Sequence, residues 1–305
     1  MTIVNLGSLN VDRVFRVAHI ARPGETIAAE SLRLFAGGKG ANQSVALARA
    51  GAQVVHVGCI GSDGDWLTEK LAGEGVEVTH VATAANSTGQ AIIQVDHAGE
   101  NAILLSPGAN HDVSPAAIDR ALDEAAPRSW LLTQNETSGV EHAIRAAHAR
   151  GLRVALNPAP FNEQVREYPL ELVHLLCVNA TEGSGLAGET SPDRILVALT
   201  ARLPHCEILL TLGADGAIYR RSEFELRQSA PRVEVVDTTA AGDTLLGYFL
   251  AGRAAGVDPE TCLKLAIRAA ALCVTRSGAM DSIPRREEVE TTTWPPAASR
   301  SRKNR

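Results

Sequence analysis

The stretch "VDTTAAGDTLLG", from Val236 to Gly247, places a run of very small residues directly before apolar residues at helical spacing. The pattern predicts a helix that begins among these small residues. The first turn of a helix has backbone N–H groups without internal partners, and the helix dipole adds partial positive charge there. Ala240, Ala241 and Gly242 would therefore let an anion approach those N–H groups closely.

Asp243, which follows the small residues, suggests a chemical role for this helix start. A phosphoryl group in transfer carries negative charge, and an anion hole of N–H groups would stabilise it. A carboxylate beside that hole could accept the proton of an attacking hydroxyl. The alternative is a purely structural helix start, in which Asp243 only interacts favourably with the helix dipole.

The composition is typical of a globular protein with one or two domains. The 305 residues are 45% hydrophobic, so the chain can bury a large core. The 29 basic and 35 acidic residues argue against general binding of nucleic acid or of a membrane surface. The five cysteines follow no CxxC spacing, which favours free thiols and a cytoplasmic location. No apolar run approaches a membrane span, and "MTIVNLGSLNVD" is typical of a strand rather than of a signal peptide.

The order of elements predicts an α/β fold. Runs rich in Val, Ile and Leu, such as "TIVNLG", "VVHVGCIG" and "EILLTLG", alternate with helical patterns. This alternation predicts a doubly wound, mostly parallel central sheet that helices cover on both faces. Ligands bind such sheets beyond the carboxyl ends of the strands, so we expect the functional residues there.

Two segments depart from this alternation. Residues 11–36 and 86–106 alternate apolar and polar residues, which predicts antiparallel β-ribbons outside the main sheet, forming a small lid. A ribbon with an apolar face needs a partner, either the substrate or a second subunit. From Thr291 the sequence loses its periodicity, so residues 291–305 are predicted to be a disordered tail.

A second glycine-rich stretch, "FAGGKGANQSVALA", extends from Phe35 to Ala48. Its glycines permit close backbone approach, and Lys39 and Asn42 supply hydrogen-bond donors at the start of another helix. The spacing matches neither the dinucleotide-binding GxGxxG fingerprint nor the P-loop. By itself the stretch also fits a tight strand-to-helix turn with a solvated lysine.

Together these stretches resemble the ribokinase-like (PfkB) family of carbohydrate kinases, and the members that phosphorylate ribose most closely. The resemblance covers residues 3–290 and implies one kinase domain over residues 1–290, with the ribbons as its lid. It rests on motifs that occur in the family's order: "GSLNVD" with "RPGET" downstream, "GGKGAN", "TGQAIIQVD", "GENAILLSPGAN", "NPAP", "NATE", "TLGADG", "DTTAAGD" and "VTRSGAMDSIP".

The resemblance implies a sugar site and a catalytic base. Asp243 corresponds to the family's base, beside an anion hole of Ala240, Ala241 and Gly242. The family's sugar-contacting positions correspond to Asn10, Asp12, Gly38, Lys39, Asn42, Glu136 and Asp243.

The resemblance also implies a site for ATP and Mg²⁺. Asn179 and Glu182 match the family's N-x-x-E motif, which positions Mg²⁺ and phosphate largely through water. At Ile267 the family commonly has Asn or His near the adenine; an aliphatic side chain could pack against the base without a hydrogen bond. The nucleotide positions correspond to Asn179, Thr211, Leu212, Gly213, Ala214, Asp215, Gly216, Gly242 and Ile267.

A monovalent cation completes the expected site. Oxygen ligands beside the anion hole would order it, so the resemblance implies that K⁺ is an activator. The alternative for Asp237 and Arg276 is a structural ion pair. The family's cation-surrounding positions correspond to Asp237, Thr239, Cys273, Arg276, Gly278 and Ser282.

The leading hypothesis is an ATP-dependent sugar kinase that phosphorylates the primary hydroxyl of ribose. The same chemistry on 2-deoxyribose, a nucleoside or a ketohexose remains open, as does a sugar-binding sensor without catalysis. A nicotinamide dehydrogenase is disfavoured because "VNLGSLN" supplies no glycine fingerprint that opens a helix. The expected partners are a small sugar, ATP and a second copy bound through the lid, with neither nucleic acid nor a membrane.

Overall fold

Strands and helices alternate through residues 1–294, the part of the chain that the computed structural model describes. The strands are β1 (Thr2–Leu6), β2 (Asn10–Arg16), β3 (Ser31–Gly37), β4 (Gln53–Ile60), β5 (Glu77–Thr83), β6 (Gly89–Val95), β7 (Asn101–Ser106), β8 (Trp130–Gln134), β9 (Arg153–Asn157), β10 (Leu175–Asn179), β11 (Glu207–Thr211), β12 (Ala217–Arg221) and β13 (Phe224–Gln228). The helices are α1 (Lys39–Arg49), α2 (Asp65–Gly73), α3 (Pro115–Asp123), α4 (Val140–Ala149), α5 (Ala180–Ala187), α6 (Pro192–Arg202), α7 (Ala241–Ala254), α8 (Pro259–Cys273) and α9 (Arg286–Thr291).

The central sheet has nine strands in the order β13-β12-β11-β10-β9-β8-β1-β4-β5. All neighbours from β11 to β5 pair in parallel, whereas β12 and β13 add an antiparallel edge. The chain winds outward from β1 to β5 and then returns to place β8 beside β1. The prediction of a doubly wound, mostly parallel sheet is confirmed.

Helices cover both faces because the strands are buried on both. In β1, Ile3 faces a core that includes residues of α1, α7 and α8, whereas Val4 and Leu6 face the core under α3, α4 and α6. The helix α7 is buried continuously from Asp243 to Ala251 and packs against both α1 and α8. This packing brings the starts of α1 and α7 together.

A separate small sheet has the strand order β3-β2-β6-β7. Both predicted ribbons are present, as the antiparallel pairs β2–β3 and β6–β7. The two ribbons also pair with each other, because β2 and β6 run in parallel from Asn10–Gly89 to Arg16–Val95. The two hairpins therefore share one continuous surface.

The predicted carboxyl-terminal tail starts one residue too early. Thr291 is the last residue of α9, so the predicted tail overlaps a helix by one residue, and residues 295–305 lie outside the described part. Across residues 1–294, no helix has the length and apolar character needed to cross a membrane. All five cysteines are free and buried.

Candidate active site

A cleft of about 1080 Å³ lies between the small sheet and the carboxyl ends of the central strands. Strand order reverses beside it, where β1 lies between β4 and β8, and ligands of doubly wound sheets bind at such a point. Most of the predicted site residues line this cleft: Asn10, Asp12, Gly38, Lys39, Asn42, Glu136, Asn179, Glu182, Thr211, Asp237, Thr239, Ala240, Ala241, Gly242, Asp243 and Gly278.

The glycine-rich stretch before α1 makes room for the protein's own backbone. Gly38 precedes the helix with a φ of 92°, in the region that favours glycine. A Cβ added to Gly40 would lie 2.3 Å from Cα of Gly7, in the turn between β1 and β2. This close approach holds the first turn of α1 against β1 and leaves Lys39 and Asn42 at the cleft.

The Lys39 side chain shares the cleft with several carboxyl groups, among them Asp12, Glu136 and Asp243. Ser8 Oγ and the Lys39 backbone N–H both donate to Glu136 Oε2, at 2.5 and 3.0 Å. Burial raises the pKa of Asp12 to about 7, with smaller contributions from Glu136 and Asp243. Burial likewise raises the pKa of Glu136, whereas Asp243 raises the pKa of Lys39. The cluster can both donate to and accept from the hydroxyls of a polyol.

The start of α7 is open towards the cleft. Ala240 precedes the helix in the left-handed conformation, with a φ of 61° and without a side-chain cap. Gly242 is exposed, and a Cβ added there would meet no atom within 4 Å. The Ala241 N–H donates to the Thr238 carbonyl at 3.3 Å, whereas the next N–H groups of this turn lack partners within the helix and are accessible to an anion.

Asp243 lies beside these N–H groups and is only 6% exposed. Gln43 Nε2 donates to its Oδ1 at 2.8 Å, and Asn42 Nδ2 donates to its Oδ2 at 3.1 Å. The carboxylate is thus oriented by α1 at the cleft wall instead of capping its own helix. This is the arrangement that proton acceptance from a bound alcohol requires, and the catalytic role stays a prediction.

Asn179 and Glu182 form a reciprocal cap at the start of α5. Asn179 Oδ1 accepts from the Glu182 N–H at 2.8 Å, and Glu182 Oε2 accepts from the Asn179 N–H at 3.0 Å. Asn179 Nδ2 donates to the other carboxylate oxygen at 2.9 Å. Burial raises the pKa of Glu182. The N-x-x-E motif therefore has a structural function in addition to any role in catalysis.

The chemistry of this cap fits a metal bound through water. Each oxygen of Glu182 already accepts one hydrogen bond and retains a further lone pair. No group of three or more His, Cys, Asp or Glu side chains that could hold a metal occurs within residues 1–294. Mg²⁺ suits such surroundings because it retains several waters and takes its other ligands from phosphates.

The predicted nucleotide loop follows β11. Thr211 ends the strand at the cleft, residues 213–215 form an exposed 3₁₀ turn, and the Leu212 N–H donates to the Gly216 carbonyl at 2.8 Å. Ile267 is 3% exposed on α8 and belongs to the core. The expectation that Ile267 packs against a base therefore has no support, because its side chain offers almost no free surface.

The predicted cation positions join two loops beneath α7. Asp237 Oδ1 accepts from the N–H and hydroxyl of Thr239 at 2.9 and 2.6 Å, and its Oδ2 accepts from the Gly278 N–H at 3.1 Å. The buried Cys273 Sγ lies 3.7 Å from the Thr239 carbonyl and 3.1 Å from Ser282 Oγ. These contacts couple both loops to the residues that precede the anion hole.

Sequence comparison supplies the family. The pfkB carbohydrate kinases match residues 2–286, which is nearly the whole described chain. The chain belongs to the pfkB family of carbohydrate kinases. Members of this family are phosphotransferases that act on an alcohol group, and the cleft of this member brings an acid and an open helix start together.

Individual members of the pfkB family are similar to this chain along nearly their whole length. Ribokinase of Haemophilus influenzae is 37% identical over 296 residues, covering 94% of this chain and 96% of the relative. Deoxyribokinase of Salmonella typhi is 32% identical over 300 residues, covering 94% and 97%. The structure of Arabidopsis thaliana ribokinase complexed with ribose and ATP has a TM-score of 0.84 at 30% identity, covering 95% and 97%.

Asp237 and Arg276, for which an ion pair was the alternative to a cation site, do not contact each other through their side chains. Arg276 Nη2 donates to Glu288 at 2.7 Å, whereas Asp237 uses both its oxygens on Thr239 and Gly278. The alternative of a structural ion pair between Asp237 and Arg276 is therefore wrong. Arg276 connects the loop to α9 instead.

Sequence reasoning missed the buried amides that support the site. Gln43, Gln134 and Asn157 form side-chain hydrogen bonds beside Asp243, and Asn110 Nδ2 donates to Asn10 Oδ1 at 2.8 Å. Gln134 and Asn157 are the last residues of β8 and β9. A signal was present, because polar residues that end buried strands of a doubly wound sheet face the ligand edge.

Proposed function

We propose that this pfkB kinase is an ATP-dependent ribokinase, which transfers the γ-phosphate of ATP to the primary hydroxyl of D-ribose and forms ribose 5-phosphate. The observation that carries the proposal is the position of Asp243, held by two amide donors beside the open start of α7. The ribokinases of similar length and the relative complexed with ribose and ATP support the choice of substrates.

In the proposed mechanism, the sugar hydroxyls bind Asn10, Asp12 and the start of α1. The primary hydroxyl then faces Asp243, which accepts its proton as the oxygen attacks the γ-phosphate in line. The open N–H groups of α7 stabilise the charge on the phosphoryl oxygens. Mg²⁺, bound with ATP and held through water near Asn179 and Glu182, would neutralise phosphate charge.

The experiment that tests this mechanism is Asp243→Asn, assayed for ADP formation and for ribose binding by calorimetry. The amide keeps the shape of the carboxylate but cannot accept the proton, so kcat should fall by about 10²- to 10⁴-fold while ribose still binds. Turnover that survives the substitution would contradict the proposal and favour a sensor.

A second candidate substrate is 2-deoxyribose, since the relative from Salmonella typhi, which is matched over 97% of its length, is a deoxyribokinase. A panel of pentoses, ketohexoses and nucleosides, assayed for ADP formation, separates the candidates. We expect the highest kcat/KM with D-ribose. Equal rates on all sugars would defeat that choice.

We propose K⁺ as an activator bound by the loops of Asp237 and Gly278. The support is their coupling to Thr239, which directly precedes the anion hole. Titration with KCl at constant ionic strength, with NaCl as the matched control, should raise kcat saturably. A flat response to K⁺ would contradict the activation.

We also propose that two copies pair through their small sheets. Leu32, Leu34 and Leu104, on the strands β3 and β7, are 48%, 54% and 65% exposed, a large apolar surface for a monomer. Leu34→Glu should shift the sedimentation of the protein towards the monomer, whereas a substitution at the equally exposed Val197 on α6 should not.

Residues 1–290 then act as one kinase domain with this sheet as its lid. The buried free cysteines favour the cytoplasm as its compartment.

A further inference from the structure

A chain of buried amide side chains extends from β1 to Asp243. Its members touch no solvent or almost none, so every hydrogen bond they make counts towards the fold. It consists of Asn5, Gln134, Gln43 and Asn157, which are 0%, 1%, 0% and 9% exposed.

The first anchor of the chain is a backbone carbonyl. Asn5 Nδ2 donates to the Gly40 carbonyl at 2.8 Å, and a carbonyl can only accept. Asn5 must therefore turn its Oδ1 towards Gln134, whose Nε2 donates to it at 2.9 Å and to Gln43 Oε1 at 2.7 Å. The oxygen of Gln43 thus faces Gln134, and its nitrogen faces the other way.

The second anchor lies on strand β10 and imposes the same orientation. Asn157 Nδ2 donates to the Cys177 carbonyl at 3.0 Å, so its Oδ1 is left to accept from Gln43 Nε2 at 3.0 Å. The same Gln43 nitrogen donates to Asp243 Oδ1 at 2.8 Å. A reversed Gln43 amide would place an oxygen against the carboxylate and lose three hydrogen bonds.

We infer that Gln43 is a positioning residue for phosphotransfer, which holds the Asp243 carboxylate at the angle needed to meet the sugar hydroxyl. The inference rests on the proposed function, in which Asp243 accepts the proton. Gln43 is fully buried, does not line the cleft and contacts the proposed base directly. Its effect should therefore appear in kcat rather than in the KM for the sugar.

Gln43→Met tests the inference, because methionine has a similar length and donates no hydrogen bond. We expect kcat to fall about 10- to 100-fold, as for loss of a hydrogen bond to a charged group, with the KM for ribose within about twofold. A kcat equal to that of the wild type would overturn the inference.

Gln43→Glu gives a second readout, which also serves if the methionine variant folds poorly. The carboxylate keeps the shape of the amide but lies against Asp243, and two adjacent acids share one proton. The acidic limb of the kcat/KM profile should move about one unit or more to higher pH. An unchanged limb would overturn the inference.

The ionisable groups around Asp243 stay the same in both variants: Lys39, Asp12, Glu136, Glu182, Cys177 and Cys273.

Ser44→Ala is the matched control. Ser44 follows Gln43 on α1, is fully buried and bonds Asn5 Nδ2 and His56 Nδ1, both at 2.8 Å. Its loss leaves Asn5 anchored on the Gly40 carbonyl, so stability should fall while kcat and the pH profile stay unchanged. If Asp243→Asn abolishes turnover but the Gln43 variants behave like the wild type, the inference fails and the proposed function stands.

Discussion

The helices α7 and α5 both begin at the cleft, yet their first turns are built in opposite ways. At α5, Asn179 and Glu182 close the turn with three hydrogen bonds of their own. At α7, no side chain caps the helix, and the space beyond Gly242 is empty. The first turn of α7 is therefore the more open of the two, which favours α7 as the anion site and leaves α5 to act through water.

Two carboxyl groups of the cleft, Glu182 on α5 and Asp12 on β2, also differ in whether they have hydrogen-bond partners. Glu182 is satisfied by its own helix. Asp12 takes part in none of the side-chain hydrogen bonds found between residues 1 and 294, although it is only 8% exposed. Burial without a partner disfavours the ionised form, which explains the pKa of about 7. Burying Asp12 without a partner therefore costs folding free energy, and it leaves the carboxyl group available to a ligand.

Among the changes that test this comparison of α7 with α5, filling the open first turn should have the largest effect. Gly242→Val places a side chain where no atom lies within 4 Å, so the fold should tolerate it. The side chain would obstruct the free N–H groups, and kcat should fall about 10²- to 10³-fold, as when an oxyanion donor is lost. Steady-state assays and thermal unfolding would measure both effects. A kcat near that of the wild type would show that the anion binds elsewhere.

The pH dependence of stability should reveal the unpartnered Asp12. Unfolded, this carboxyl titrates near 3.8; folded, it titrates near 7. The stability that it contributes is complete below the unfolded pKa and is lost as pH rises through the folded pKa, by up to about 4 kcal/mol. Asp12→Asn should flatten the free energy of unfolding between about pH 4 and 7. The free energy of unfolding would be measured by urea denaturation at each pH. The same dependence on pH in both proteins would contradict this explanation.

Opening the closed turn should have a smaller effect. Glu182→Gln removes the carboxylate from the cap, so stability should fall by about 1 kcal/mol and the KM for Mg·ATP should rise about 10-fold or more. Ser114→Ala is the matched control, since Ser114 caps α3 away from the cleft by accepting from the Ala117 N–H. It should lower stability alone. Equal KM values in both variants would assign the motif a structural role only.

The smallest effect is expected at Arg276. Its pair with Glu288 is partly exposed on both sides, and such pairs contribute about 1 kcal/mol or less. Arg276→Gln should leave activation by K⁺ unchanged, because the Asp237 carboxylate is held by Thr239 and Gly278. A KCl titration of the variant checks this, and a lost activation would show that the pair with Glu288 holds the cation-binding loop in place.

Much of the site was predictable because its motifs are local. Asp243 follows three small residues at a helix start, and Lys39 follows two glycines at another, so both could be placed from sequence neighbours alone. The partners of Asp243 could not be placed, because Gln43 is 200 residues away. Ile267 shows a limit of the family resemblance. The resemblance placed this residue near the nucleotide, whereas its side chain lies in the hydrophobic core.

The sequence by itself determined the alternation of strands and helices, the two small-residue helix starts and the acid at position 243. These properties depend on periodicity and on residue size over a few neighbouring positions. Only the tertiary structure decided that β2 pairs with β6, that Arg276 reaches Glu288 and that side chains of three strands orient Gln43. Such contacts depend on strand order and helix docking, which form when distant segments share one core.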